Sequence, residues 1–267
     1  KEAPMAANDN MLMEQTKKYV EFIENIQKSN HITHLDADTY FGKGSLNAAK
    51  RGVGANISAV NAVMSGDFNN AFSAIRPPGH HAETEKAMGF CIFGNVAIAA
   101  KYAIENHKLK RVAVVDFDVH HGNGTQEILW DDPNVLFVST HQMPLWPGSG
   151  THEEHGKHQN ILNIPIQANT DGPAFRQKFD EIILPRLDSY KPEILIISAG
   201  FDAHYKDPLA NIELMTEDYE WITHRLCDIA DEHADGRLIS SLEGGYNLAA
   251  LAESVAVHVK VLMERSK

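Results

Sequence analysis

The sequence predicts a single α/β domain with a mostly parallel sheet and helices on both faces. Two observations carry this. Short apolar runs rich in Val, Ile and Leu alternate with longer segments of helical period along the 267 residues, the pattern of a doubly covered sheet. From residue 71 onward, every such run ends in Gly, His, Asp or Tyr. In an open parallel sheet those strand ends lie along one edge, where such folds bind ligands.

In chain order, residues 11–28 place Leu12, Tyr19, Phe22, Ile23 and Ile26 at helical spacing, with Asn30 as a stop. Residues 31–44 read as loop. Ser45 is an N-cap for a helix to about Ser65. Gly52 and Gly54 inside it mark a break or a close helix contact. Residues 71–75 form a short strand, ended by Arg76-Pro77-Pro78-Gly79-His80-His81, a rigid non-helical loop. A helix over 94–106 leads into a buried strand at 112–115. A strand at 135–138 ends in Ser139-Thr140-His141, and 142–160 is a loop long enough to be functional. A helix from Phe175 to about Leu187 precedes the strand 194–197, which ends in Ser198-Ala199-Gly200-Phe201-Asp202. A helix starts at Thr216 and runs to about His233. The strand 238–242 ends in Glu243-Gly244-Gly245-Tyr246, and an amphipathic helix spans 247–264.

Composition excludes several classes. At 43% hydrophobic and 22% charged residues the chain is globular. Its net charge of -12, from 24 basic and 36 acidic residues, argues against a phosphate-backbone footprint, so no direct nucleic-acid partner is expected. No 18-residue apolar run calls for a membrane. Two cysteines, Cys91 and Cys227, imply no disulfide framework and fit a reducing, cytoplasmic compartment. A homo-oligomer is compatible with this composition.

The chemistry centres on Asp116-Phe-Asp-Val-His-His-Gly-Asn-Gly124. On an extended chain Asp116, Asp118 and His120 share one side. Buried carboxylates and imidazoles need a partner, and a divalent ion such as zinc is the most economical one. Asp118, His120 and Asp202 are the candidate ligands, three in number as in catalytic rather than structural sites. A bound ion lowers the pKa of water towards ~7. His80 and His81, on their rigid loop, suit general base and acid, with Asp116 and Asn123 as candidates to orient their rings. Tyr246, on a loop expected to be flexible, can donate its phenol to an oxyanion. Each segment alone has a plainer reading as a capped loop or packing residue; five together describe amide hydrolysis.

These segments resemble the zinc-dependent histone deacetylase family, which includes bacterial acetylpolyamine amidohydrolases and deacetylase-like amidohydrolases. The similar stretches are Arg76-Pro-Pro-Gly-His-His-Ala82, Gly89-Phe-Cys-Ile-Phe-Gly-Asn95, Asp116–Thr125, Ser139-Thr-His141, Pro147-Gly-Ser-Gly150, Ala199-Gly-Phe-Asp-Ala203, Asp207-Pro-Leu209 and Glu243-Gly-Gly-Tyr246. Asn123 stands where class I members carry a second aspartate, so the resemblance is to the class II branch. It implies an arginase-like fold with an eight-stranded parallel sheet and zinc on Asp118, His120 and Asp202. It implies His81 as the general base and acid, and His80, paired with Asp116, as mainly electrostatic. Phe90 and Trp146 match the aromatic walls of an acyl-lysine tunnel bordered by Gly89, with Trp146 bulkier than the usual Phe. Leu209 matches a rim position where a polyamine-specific relative has Glu. The family also often binds potassium, which by position would use Asp116, Asp118, His120, Ser139 and Thr140.

The family normally begins with a further segment holding a first strand and a rim loop, and this chain starts after that point. Either the sequence is a piece of a longer chain, or a first strand has been lost; its loss would expose an apolar edge or face and leave the rim partly open. Cys91 is expected to be a buried packing residue. His141, His152, His155 and His158 are expected as exposed loop histidines rather than a second metal site. The predicted activity is zinc-dependent hydrolysis of acetyl-lysine in proteins or peptides. Its rivals are an acetylpolyamine amidohydrolase, a binuclear manganese hydrolase, and a non-catalytic acyl-lysine binder.

Overall fold

The computed structural model describes residues 1–28 and 31–266; the expected stop at Asn30 lies outside the described residues. The chain runs α1 (Asn8–Met11), α2 (Lys17–Ile26), β1 (Thr33–His34), β2 (Tyr40–Phe41), α3 (Ser45–Ser65), β3 (Asn70–Ser73), α4 (Asn95–His107), β4 (Val112–Asp116) and α5 (Asn123–Leu129). It continues with β5 (Val135–Gln142), β6 (Ile161–Ile166), α6 (Gly172–Lys178), a π-helical turn (Phe179–Ile183), α7 (Leu184–Tyr190), β7 (Ile194–Ala199), α8 (Thr216–His233), β8 (Leu238–Leu242) and α9 (Leu248–Glu264).

Six strands form one all-parallel sheet in the order β3-β8-β7-β4-β5-β6. Successive side chains on each strand enter different cores, as the two-residue period requires. Ala113, Val115, Leu136, Val138, Leu195 and Ile197 face α6 to α9. Val112, Val114, Val135, Phe137, Ile194 and Ile196 face α3 and α4. Every residue of β4 is buried, and Val112 to Val115 of this central strand read as an unbroken apolar run. A third, smaller core joins α1, α2 and the β1–β2 hairpin to α3 and α4 through Met11, Ile23, Phe41 and Phe93.

The structure corrects several expectations. Among the described residues the sheet has six strands, not eight. β1 and β2 pair only with each other, and Phe41 is buried in the third core rather than against the sheet. The helix expected over 11–28 is two helices, because the Thr16 hydroxyl accepts from Tyr19 N–H and starts a new one. Gly44, at φ 92°, caps α3; the Ser45 hydroxyl instead accepts from Gly42 N–H. β5 continues four residues beyond Val138, since Ser139 to Gln142 pair with the unexpected strand β6. Gly54 resolves to close packing: a Cβ there would lie 2.0 Å from the Pro4 carbonyl oxygen. Among the described residues, no helix is long and apolar enough to cross a membrane.

Candidate active site

β4 and β7 are neighbours, with Asp116 opposite Ser198. The chain just past each strand end therefore delivers its polar groups to one place. Asp118, His120 and Asp202 each offer a ligand atom, all within 4.8 Å of one another, and all three residues are buried. His120 Nδ1 lies 3.2 Å from Asp118 Oδ1 and 3.0 Å from Asp202 Oδ2. The other carboxylate oxygens are tied down: Gly244 N–H donates to Asp118 Oδ2 at 2.8 Å, and Val119 N–H to Asp202 Oδ1 at 2.8 Å. Asp118 Oδ1, which also accepts His120 N–H at 2.9 Å, then lies close to Asp202 Oδ2 and His120 Nδ1.

The charges there are costly as they stand. Burial, then the Asp118 charge, pushes the Asp202 carboxyl up to about 7. Burial alone would lower the His120 pKa, but hydrogen bonds to Asp118 and Asp202 raise it to about 10. Two buried carboxylates and an imidazole with fixed outer oxygens fit a divalent cation, which would offset both the desolvation and the mutual repulsion. Glycine makes the approach possible: a Cβ on Gly244 would meet Asp202 Oδ2 at 2.4 Å.

His80 and His81 come from the loop after β3, their rings tilted 42° to each other with centroids 3.8 Å apart. His80 Nδ1–H donates to Asp116 Oδ2 at 2.9 Å, and His81 Nδ1–H to Asn123 Oδ1 at 2.9 Å. The environments drive them apart. For His80, burial is outweighed by the Asp116 and Asp118 charges, which raise it to about 10. For His81, burial and the His80 charge push the pKa well below the usual range. The two rings are thus driven in opposite directions, the kind of separation that acid–base chemistry uses.

A cavity of about 210 Å³ opens above these groups, lined by Asp38, His81, Gly89, Phe90, His120, Leu145, Trp146, Leu209 and Tyr246. Phe90 and Tyr246 stand 5.8 Å apart by ring centroid, and Trp146 contacts His81 edge-on at 4.7 Å. Gly89, Phe90, Trp146 and Leu209 therefore share one passage with the base and the phenol. The Tyr246 phenol is raised by burial and by the charges of Asp202 and Asp118, so it stays protonated and can only donate usefully. Asp116 and Ser139 are register partners, with Thr140 next along β5.

Sequence reasoning missed the groups that hold this arrangement. Glu243 is fully buried; its Oε2 accepts from Gly79 N–H at 2.7 Å and His80 N–H at 3.2 Å, and its Oε1 from the Ser198 hydroxyl. Asp207 Oδ2 accepts Tyr246 N–H at 2.7 Å while its Oδ1 accepts Leu209 N–H at 3.0 Å. The Tyr246 loop is therefore pinned at its backbone, at Gly244 and at Tyr246, where flexibility was expected. Asp38, which also lines the passage, was unmarked too. His141 is not an exposed loop residue: it is buried on β5, bonded to Ser139 Oγ at 3.0 Å and Gly150 O at 2.8 Å. It pins the long loop that carries Trp146. Cys91 is buried as expected, and burial raises its thiol far above the reactive range.

Sequence comparison decides the family. A family model described as the histone deacetylase domain matches residues 1–262. The chain belongs to the histone deacetylase family. It is 40% identical to a probable deacetylase of Archaeoglobus fulgidus, covering 91% of this chain and 68% of that protein. It is 46% identical to histone deacetylase 10, chloroplastic, of Oryza sativa subsp. japonica, covering 69% of this chain and 42% of the relative. The chain thus spans from under half to about two thirds of these curated relatives. The crystal structure of the HDA15 HD domain superposes with a TM-score of 0.93 at 32% identity, over 98% of this chain and 75% of that one. This family domain shares the arginase-like sheet and flanking helices.

Proposed function

We propose that this chain is a zinc-dependent deacetylase that hydrolyses the acetyl amide of lysine side chains in proteins or peptides, yielding acetate and the free amine. One observation carries the reading. Asp118, His120 and Asp202 converge at the floor of a narrow passage that also holds a neutral imidazole and a protonated phenol. A cation held by these three residues supplies Lewis-acid polarisation of the amide carbonyl and a more acidic water.

The chain's own residues do the rest. Phe90 and Trp146 bind the apolar lysine stem, and Leu209 and Asp38 meet what lies at the mouth. His81, with Nδ1–H committed to Asn123, uses Nε2 to take a proton from the attacking water and return it to the leaving amine. The His80 cation, fixed by Asp116, offsets the buried negative charge beside it. Tyr246 donates its phenol proton in a hydrogen bond to the oxygen that gains charge. Two free, buried cysteines support a reducing compartment such as the cytoplasm.

An acetylpolyamine substrate is the competing choice: Leu209 in the passage lining is apolar and favours the peptide, while Asp38 in the same lining is an acid of the kind a polyamine would meet. Turnover of an acetyl-lysine peptide and of acetylspermidine, each with and without chelator, tests both. The expected result is chelator-sensitive acetate release from the peptide at the higher kcat/KM. Release that survives complete metal removal overturns the metal role, and a preference for the polyamine overturns the substrate.

A further inference from the structure

We propose that Glu83 is a positioning residue for the catalytic base, acting on His81 through the side-chain amide of Asn123. This rests on the reading of His81 as that base.

His81 Nδ1 meets Asn123 Oδ1 at 2.9 Å, and Asn123 Nδ2 donates to Glu83 Oε1 at 2.7 Å. One amide thus bridges two side chains of the same loop, two residues apart. The loop itself is held there: Glu83 N–H donates to Lys86 O at 2.9 Å, and Thr84 N–H to Glu127 Oε1 at 3.1 Å. The Asn123 side chain, at the start of α5, is nearly fully buried, so its amide has little water to turn towards.

The chemistry of the three groups runs in one direction. An ionised carboxylate accepts and cannot donate. The amide must therefore present its nitrogen to Glu83, which leaves only its oxygen for His81. An oxygen facing Nδ1 requires the proton on Nδ1, and that frees Nε2, the nitrogen a base must use. Without Glu83 the amide could rotate by half a turn and offer N–H to Nδ1, selecting the wrong tautomer.

The test is a double-mutant cycle on the metal-loaded enzyme with an acetyl-lysine peptide. Glu83→Gln should lower kcat about tenfold with KM within about twofold, because a glutamine can turn either its oxygen or its nitrogen to Asn123 and no longer fixes which way that amide faces. Asn123→Asp alone should also lower kcat, because two carboxylates would then meet with no proton between them. In the double variant the glutamine can donate to the new aspartate, which faces His81 directly, so kcat should return to within about threefold of wild type. A generic structural role for Glu83 would make the two losses add instead. Glu83→Gln with a kcat within twofold of wild type, or a double variant no better than the worse single, overturns the proposal. His81→Ala in the same assay separates the two readings. If it abolishes turnover while Glu83→Gln is silent, the base assignment stands and the role of Glu83 falls. If it keeps wild-type turnover, the base assignment itself is wrong.

Discussion

Tyr246→Phe removes one oxygen whose work, on this structure, is entirely directed at substrate. The phenol makes no hydrogen bond to the described residues, while its backbone N–H is held by Asp207. The ring and its contact with Phe90 survive the substitution. Folding stability should therefore change by less than about 0.5 kcal/mol, as for substitutions that break no buried interaction. For a chain of this size that is about 1–2 °C in melting temperature. Turnover should change far more. Loss of one donor to a developing oxyanion costs about 100- to 1,000-fold in kcat, or roughly 2.7–4 kcal/mol. Since the donor acts mainly in the transition state, kcat and kcat/KM should fall together with little change in KM. Acetate release measured across substrate concentrations, paired with a thermal melt, reads both quantities. A kcat within threefold of wild type refutes the oxyanion role. A melt lowered by many degrees would mean the phenol serves the fold.

Asp202→Asn should weaken divalent-ion binding by at least about 100-fold, beyond the 10–100-fold typical of losing an outer partner; elemental analysis still showing one tightly bound ion per chain would remove Asp202 from the ligand set. Gly89→Ala should abolish measurable turnover, because φ is +55° and the new Cβ would lie 2.4 Å from His81 Cδ2 and 2.7 Å from Trp146 Cη2; wild-type kinetics would show that the passage wall is not where it is drawn. Acid should destabilise the fold through His258, buried between Thr223 Oγ1 at 2.7 Å and Ser240 Oγ at 2.9 Å and lowered by burial to about 3. The folded value lies below the unfolded ~6.5, so this stability is full above pH 6.5 and lost as pH falls towards 3, by about 2 kcal/mol at pH 5. In urea unfolding, the stability advantage of wild type over His258→Gln should shrink by that amount between pH 8 and pH 5; a constant difference would contradict it.

Much of the site could be read from residue types, and the reasons are physical. Carboxylates and imidazoles after a buried apolar strand have few uses other than a metal or a proton, so Asp118, His120, Asp202, His80 and His81 stood out. Glu243, Asp207 and Glu83 did not, because two of them act on backbone N–H groups and the third on an amide, partners that leave no mark in a sequence. The central strands were plain because both faces are apolar. β6, Ile-Leu-Asn-Ile-Pro-Ile, was obscured by Asn163 and Pro165. It sits at the sheet edge, where a missing N–H is tolerated. α5 was hidden by Gly122-Asn123-Gly124, which reads as a turn yet opens the helix. Eight strands came from resemblance alone, and the described residues build six.

The placement of the three ligands has a thermodynamic corollary. Asp118 and His120 follow one central strand and Asp202 follows its neighbour, 82 residues beyond His120. An ion held there staples the middle of the sheet, across a long loop of chain. Because only the folded form assembles all three donors, each tenfold rise in free ion above its dissociation constant adds about 1.4 kcal/mol to unfolding. A melting curve thus doubles as a titration of the ion, with no substrate present.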